Sequence, residues 1–381
     1  MLTDEAIPHA RNYALDFYRF LFSCVICIMH FTAYMDFGDA HAPFCGGYLA
    51  VEFFFIVSGY MLMRHVEREK KKAGSVSAGR CTARYAWERF ERLFPHYALS
   101  LILVALVYIY VGQYSTKEVL TSVFWEFFMV QSAGLPFVVN NQFWYVSAML
   151  LASVFIYFLL KKNEDTYRYI IAPGALLLIC GYFYQTYGYI DLTMRSYDLI
   201  AYSGLWRAFA EIGLGCIVYT CSKKLANITG RLFRVLVTLL ESSLLVVILY
   251  TMYRSRRSIK DFAMIGLIAA FVLCVSLGKS YVDSFLNTRV SGFLGKISYG
   301  MYLNQLIFIV LISTYIPEKP FWPMVLVFLL ANTLYDLGMC KDYRFTEKGI
   351  LQSVLIHVKN GGLEAEELLK APVFSLRLAE K

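Results

Sequence analysis

Ten stretches of roughly twenty mostly apolar residues run through the chain, and they limit its fold more than any other feature. They lie at about 14–35, 44–63, 94–112, 143–160, 169–189, 204–221, 232–253, 261–278, 293–315 and 320–338. A helix of ~20 residues crosses the hydrocarbon core of a bilayer, and only helices and closed barrels keep every backbone group bonded there. The expected fold is therefore all-α, a polytopic membrane bundle of about ten transmembrane helices. Composition agrees, because 17% of residues are charged where soluble proteins carry about 25%. No block of domain size remains outside the stretches. Residues 1–338 thus read as one transmembrane domain, and 339–381, mixed in charge and broken at Gly361 and Gly362, as a short cytoplasmic tail. EVLTSVFWEFFMVQ (118–131) is too short and too polar to cross, so an interfacial or re-entrant helix is expected there.

Charge sets the expected orientation. The loop at 64–92 holds nine Lys or Arg, more than any other, which places it in the cytoplasm together with 161–168, 222–231 and both termini. The loop at 253–261 disagrees, with four basic residues on the outer side. The net charge of +8 is accounted for by these loops and does not call for a nucleic-acid partner. Most of the nine cysteines lie in apolar runs, and Cys24 and Cys27 have no second C-x-x-C to complete a zinc site. The first apolar stretch is too long for a cleaved signal peptide and reads as a retained span in the plasma membrane.

DFYRFLFSCVICIMHF (16–31) carries Arg19 and, eleven positions later, His30. On a helix they fall within ~20° of one face and ~16 Å apart along the axis. Ionisable residues in a span face the bundle rather than lipid. Asp16, three residues before Arg19, is placed to pair with it. Singly, Arg19 reads as a snorkelling anchor and His30 as an interhelical histidine; the shared face is what points to chemistry. Glu52 comes early in the second span, which starts on the outer side, so it is expected near the depth of His30. A carboxylate there would fix the imidazole tautomer, as a general base requires; the alternative is a structural Glu52 paired with another helix. Arg207 and Glu211, four apart, are set for an ion pair, and Glu241 for an interhelical polar contact.

Several segments resemble, in order, those of the acyltransferase-3 family of integral membrane acyltransferases. RFLFSCVICIMH has its Arg-x10-His, as Arg19 and His30. AVEFFFIVSGYML resembles its acidic, Phe-Phe, Ser-Gly-aromatic motif, as Glu52, Phe53, Phe54, Ser58, Gly59 and Tyr60. RFERLFPHY is similar to its Arg-x-x-Arg followed by aromatic-Pro, as Arg89, Arg92, Phe94 and Pro95, with the proline expected in a helix's first turn. NNQFWYVSAML resembles the segment around its tryptophan, as Trp144, and FLGKISYGMYLNQ its Gly-x-x-Ser-Tyr-x-x-Tyr-Leu motif, as Gly295, Ser298, Tyr299, Tyr302 and Leu303. Where many relatives carry a histidine after that motif, this chain has Asn304 and Gln305, so neutral amides must fill its hydrogen-bonding role.

The resemblance implies transfer of an acyl group, usually acetyl, from acyl-CoA as donor substrate to a hydroxyl of a carbohydrate or cell-envelope acceptor, with no bound cofactor or metal. It makes His30 the catalytic base, oriented by Glu52, or the group that takes the acyl first. Arg19, Arg89 and Arg92 become the acyl-CoA phosphate clamp, since guanidinium forks suit phosphate. Ser58, Tyr60, Trp144, Ser298, Tyr299 and Gln305 are expected to line the site. The competing class is a transporter or membrane sensor whose buried charges line a path; a phosphate clamp at one face is what sets the enzyme apart.

Overall fold

The computed structural model describes residues 11–35, 43–70, 77–135, 142–193, 197–198, 200–316 and 322–336. The expected tail at 339–381 lies outside them. A helix occupies each of the ten apolar stretches. In chain order these are α1 (Tyr13–Met35), α2 (Ala50–Lys70), α3 (Ala78–Val111), a shorter α4 (Thr116–Glu126), and α5 (Trp144–Lys162). Next come the one-turn α6 (Glu164–Thr166), running through a π-helical turn at Tyr167–Ile171 into α7 (Ala172–Thr186), then α8 (Ser203–Leu225), α9 (Arg231–Arg254) and α10 (Asp261–Leu277). The short α11 (Tyr281–Leu286), α12 (Arg289–Tyr315) and α13 (Trp322–Asp336) follow. Among the described residues, seven helical segments are long and apolar enough to cross a membrane, and α10 and α13 are shorter apolar helices. The remaining one, α8, has 23 residues but carries Arg207 and Glu211 inside it. Among the described residues, strand is confined to the antiparallel pair Tyr197–Asp198 and Ala201–Tyr202.

Two boundaries differ from expectation. The basic loop at 64–92 is mostly helix, because α2 continues to Lys70 and α3 already begins at Ala78. Pro95 therefore sits in the interior of α3 and not in its first turn. This helical extension belongs to a web of ion pairs that joins one end of the bundle. Glu69 takes Arg84 at 2.9 Å and Lys161 at 3.0 Å, and Glu164 takes Lys70 at 2.7 Å and Arg168 at 2.9 Å. Glu67 meets Tyr219 and Lys223. The stretches 64–92, 161–168 and 222–231 thus share this basic end.

The loop at 253–261 lies at the opposite end, as the ten-span count requires. Gly46 N donates to Met252 O at 2.9 Å, Cys45 Sγ to Ser255 O at 3.0 Å, and Tyr48 OH to Asp261 at 3.0 Å. Asp191 pairs with Arg257 at 2.7 Å, so part of the excess positive charge that made this loop anomalous is locally neutralised. The stretch at 118–131 folds back along α3. Ser115 and Glu118 close a capping box that starts α4, and the chain then descends along α3. Phe127 packs on Phe94 with ring centroids 4.9 Å apart, and Tyr97 OH donates to Glu126 O at 2.8 Å. Tyr97 is fourteen residues, or ~21 Å, from the end of α3. Irregular backbone at such depth needs protein partners; Ser132 N finds Ser147 Oγ at 3.0 Å, and Ser132 Oγ finds Trp144 O at 2.9 Å.

Helices α2 and α8 cross where neither has a side chain. A Cβ on Gly59 would stand 1.9 Å from Ile212 O, and one on Gly215 would stand 2.0 Å from Ile56 O. Within that crossing Arg207 is fully buried between two equally buried carboxylates, Glu52 at 2.7 Å and Glu211 at 3.3 Å. Its Nη2 also donates to Tyr48 O at 3.2 Å, and its guanidinium lies 5.8 Å from the Trp144 ring. The pairing expected of Arg207 and Glu211 is present, and Glu52 joins it. On the far side of the bundle Tyr18 OH donates to Glu241 at 2.8 Å, the interhelical contact expected of that acid.

Two outcomes follow for purified protein heated in detergent. Gly215→Leu drives a side chain into the backbone of α2, so it should lower the thermal transition by more than the ~1–3 kcal/mol of ordinary overpacking. Gly174→Leu, where a Cβ meets nothing within 4 Å, should leave the transition nearly unchanged. Arg207→Met strands two buried carboxylates and should cost about 3–5 kcal/mol. Glu52→Gln leaves Arg207 its partner Glu211 and should cost clearly less; equal losses would contradict the arrangement.

Candidate functional site

Helices α1 and α12 run parallel along one seam, and the seam delivers the candidate base. Gly292 lies against Tyr13 and Gly295 against Asp16. Farther along, Ser23 Oγ donates to Ser298 O at 2.8 Å, Cys27 Sγ points at Met301 O at 3.8 Å, and His30 Nδ1 meets Gln305 Oε1 at 3.2 Å. The Gln305 amide is oriented by its other end, since Nε2 donates to Tyr302 O at 2.8 Å. Its carbonyl oxygen therefore faces the imidazole, and an amide oxygen only accepts. This assigns the ring proton to Nδ1 and leaves the Nε2 lone pair available. His30 is half-buried.

This corrects one expectation. Glu52 does not hold His30, because its carboxylate is engaged by Arg207 on α8. Gln305, expected only to line the site, is the partner. The sequence signal was the amide at a position where relatives carry a histidine. Its contact with His30 depends on how α1 and α12 are phased, which no local pattern reports.

Toward the basic end the arginines converge. Arg19 Nη1 reaches Asp16 at 3.4 Å, the pairing its spacing predicts. Arg89 Nε donates to Tyr85 OH at 2.9 Å and its guanidinium lies over that ring. Arg92 is exposed and within electrostatic range of Arg89, Arg19 and Arg11. Three of these side chains are those anticipated, and Arg11 is additional.

Between the arginines and His30 stand tyrosines. Tyr145 is close enough to Arg19 and Arg89 to feel both charges, and its ring lies 5.7 Å from that of Tyr302. Tyr302 OH donates to Gln142 O, and Tyr302 O accepts from Gln305. Tyr145 follows Trp144 directly and stands outside the motif that the tryptophan marks. Ser58 borders this group, donating to Phe54 O at 2.8 Å and approaching Met149 Sδ at 3.3 Å, the sulfur that Tyr145 OH also meets.

Other expected lining residues do different work. Tyr60 is turned away, its ring 5.3 Å from Tyr219 and its hydroxyl toward Ser222 and Ser276, because α2 buries that face against α8. Trp144 packs beneath Gly204 and beside Arg207. Ser298 Oγ turns back to Gly295 O at 2.9 Å, so it serves the α1–α12 seam. Tyr299 OH reaches Leu93 O at 3.4 Å, tying α12 to α3 beside Arg92.

The family described as "Acyltransferase domain" matches residues 12–334. A peptidoglycan O-acetyltransferase of Listeria monocytogenes, OatA, is 23% identical over 351 residues, covering 83% of this chain and 53% of that protein. The chain thus spans about half the length of this curated relative. No solved structure matches it. With the family matched across the whole described bundle and the Arg-x10-His pair on one face of α1, the chain is a multi-pass membrane acyltransferase belonging to the acyltransferase-3 family.

Proposed function

We propose that the chain moves an acyl group, most simply acetyl, from an acyl-CoA bound at the basic end to a hydroxyl of a cell-envelope carbohydrate, with that end and both termini in the cytoplasm of a plasma-membrane protein. The observation that carries this reading is His30, with Nδ1 held by Gln305 and ~16 Å along α1 from Arg19. Guanidinium groups suit the phosphates of the donor, and its pantetheine arm then extends past Tyr145 and Tyr302 toward the imidazole. The relative is named for O-acetylation of peptidoglycan, which supports an envelope glycan as acceptor.

In the proposed transfer His30 Nε2 takes the proton of the acceptor hydroxyl as its oxygen attacks the thioester carbonyl. The C–S bond breaks, and the departing coenzyme A sulfur receives that proton. The same lone pair serves equally if the acyl group rests first on the imidazole. Gln305 holds the tautomer in both routes. Glu52 acts at a distance, by fixing α2 against α8.

Donor consumption by protein in nanodiscs, with acetyl-CoA and a soluble peptidoglycan fragment, tests the assignment. His30→Ala should lower kcat about 10²–10⁴-fold, and wild-type turnover in that variant would falsify the role given to His30. Gln305→Leu frees the ring and should lower kcat about tenfold, in line with loss of one hydrogen bond of ~1–1.5 kcal/mol, with donor KM nearly unchanged. Arg19→Ala should instead act mainly on donor KM. If wild-type protein binds no acyl-CoA at all, the transporter reading gains.

A further inference from the structure

The loop at 253–261 carries Arg254, Arg256, Arg257 and Lys260, all exposed, at the end of the bundle away from the ion-pair web. Lys and Arg ordinarily collect in cytoplasmic loops, and at the basic end Glu67, Glu69 and Glu164 pair with them. In this loop the acids are placed differently. Asp191 takes Arg257, while Asp261 is fully buried and accepts from Tyr48 OH, Ile190 N and Ser258 N. Arg254 closes α9, where the helix dipole favours a cation. Lys260 stands at the N-cap of α10, where the dipole opposes one. Its side chain makes no hydrogen bond or ion pair among the described residues. The fold thus accounts for Arg254 and Arg257, but no fold contact accounts for Lys260.

The patch is joined to the helix that carries the base. A Cβ on Gly46 would stand 3.0 Å from Met252 O and from Ser255 O, and one on Gly47 would stand 2.7 Å from Met29 Cβ. Two adjacent glycines therefore seat the chain between the end of α9 and the residue before His30. Phe44 belongs to the same bridge. Its ring meets that of Tyr253 edge-on with centroids 5.4 Å apart, and it packs on the apolar cluster of Cys27, Ile28 and Phe31 in α1. Its φ of +59° is uncommon for any residue but glycine. His30 itself is five residues, or ~8 Å, from the end of α1. The basic patch and the imidazole hence lie toward one end of the molecule, and Arg19, Arg89 and Arg92 toward the other.

We propose that residues 254–260 dock the acceptor, and that the acceptor is an anionic envelope glycan whose carboxylate or phosphate groups meet Arg254, Arg256 and Lys260 while a sugar hydroxyl reaches His30. This rests on transfer to a glycan hydroxyl and names the class of glycan. Guanidinium forks suit carboxylate and phosphate, and the Tyr253 ring, itself exposed, lies 5.8 Å from the Arg254 guanidinium. Clustered cations also raise the local concentration of a polyanion. A lipid headgroup would meet the same cations, but nothing ties it to the segment against Met29. An acceptor must come to that segment to reach the base.

Initial rates of the full chain in nanodiscs of zwitterionic lipid provide the test, with acetyl-CoA and a peptidoglycan fragment whose carboxylates are either free or amidated. Wild type should show an acceptor KM about two- to thirtyfold lower for the free-acid fragment, the range of two exposed ion pairs. The advantage should shrink as salt is raised. Arg254→Gln combined with Lys260→Gln should lose the preference, with kcat, donor KM and the KM for the amidated fragment unchanged. Arg254→Lys combined with Lys260→Arg should keep it. Should the glutamine pair lower the thermal transition, the comparison is read on Lys260→Gln alone, which breaks no fold contact and should lose part of the preference. If wild type does not distinguish the fragments, or if the variants weaken both equally, the docking surface is wrong and the transfer reading survives. If the variants act only in nanodiscs that contain anionic lipid, the loop holds headgroups and the proposal fails. If wild type acylates neither fragment, transfer to a peptidoglycan hydroxyl fails and the docking surface with it.

Discussion

Gly295 leaves open the space that Asp16 occupies, and the site depends on that vacancy. A Cβ there would stand 2.4 Å from the Cβ of Asp16, forcing α1 and α12 apart at the basic end. Without aqueous driving force between them, membrane helices associate through small residues that let backbones approach. The seam then continues through Ser23 and Cys27 to His30 and Gln305. Two features separated by most of a span are thereby set by one contact line: the aim of the arginines at one end and the tautomer of the imidazole toward the other.

The crossing of α2 and α8 does a different task. Gly59 and Gly215 bring these helices together, and Arg207 holds two carboxylates where each helix passes the other. Among the described residues, Glu52 Oε2, Glu211 Oε2 and Arg207 Nη1 find no hydrogen-bond partner. A buried ionic group so incompletely satisfied is poor as a source of stability. Its effect is selective: any other rotation of α2 about its axis would leave a charge facing lipid or apolar side chains. Trp144 and Tyr48, both in contact with Arg207, extend that constraint to α5 and to the loops at the end opposite the basic one.

The helices were legible in the sequence because apolar length and charge placement are local properties. Each stretch became a helix, and the anomalous basic loop at 253–261 took the end the count assigned it. Partnerships were legible only where both members lie on one helix, as for Asp16 with Arg19 and Arg207 with Glu211. Glu52 shows the limit. Its depth suited His30, but depth does not reveal which face of α2 it occupies, and the glycine pair turned that face toward α8. Tyr60 was misplaced for the same reason. Arg11 escaped notice because it precedes the helix, so no periodicity reaches it. The descent of α4 along α3 was undecided since amphipathic helices at an interface and in a re-entrant segment have similar composition.

An amide beside the base, rather than a carboxylate, has a chemical consequence in this setting. A carboxylate on Nδ1 would stabilise the imidazolium and add another ionised group to the interior of a membrane bundle, where such groups are costly. Gln305 fixes the ring by a neutral hydrogen bond and adds no charge. In the proposed transfer the proton taken from the acceptor rests on Nε2 while Nδ1–H keeps its hydrogen bond to Gln305, and it leaves with the sulfur as the C–S bond opens. The ions of the bundle stand apart from the base: Arg207 and its acids in the α2–α8 crossing, and the arginines proposed to hold the donor at the basic end. In the proposed transfer that separation would hold a charged donor at one face while the reacting atoms meet beside the imidazole.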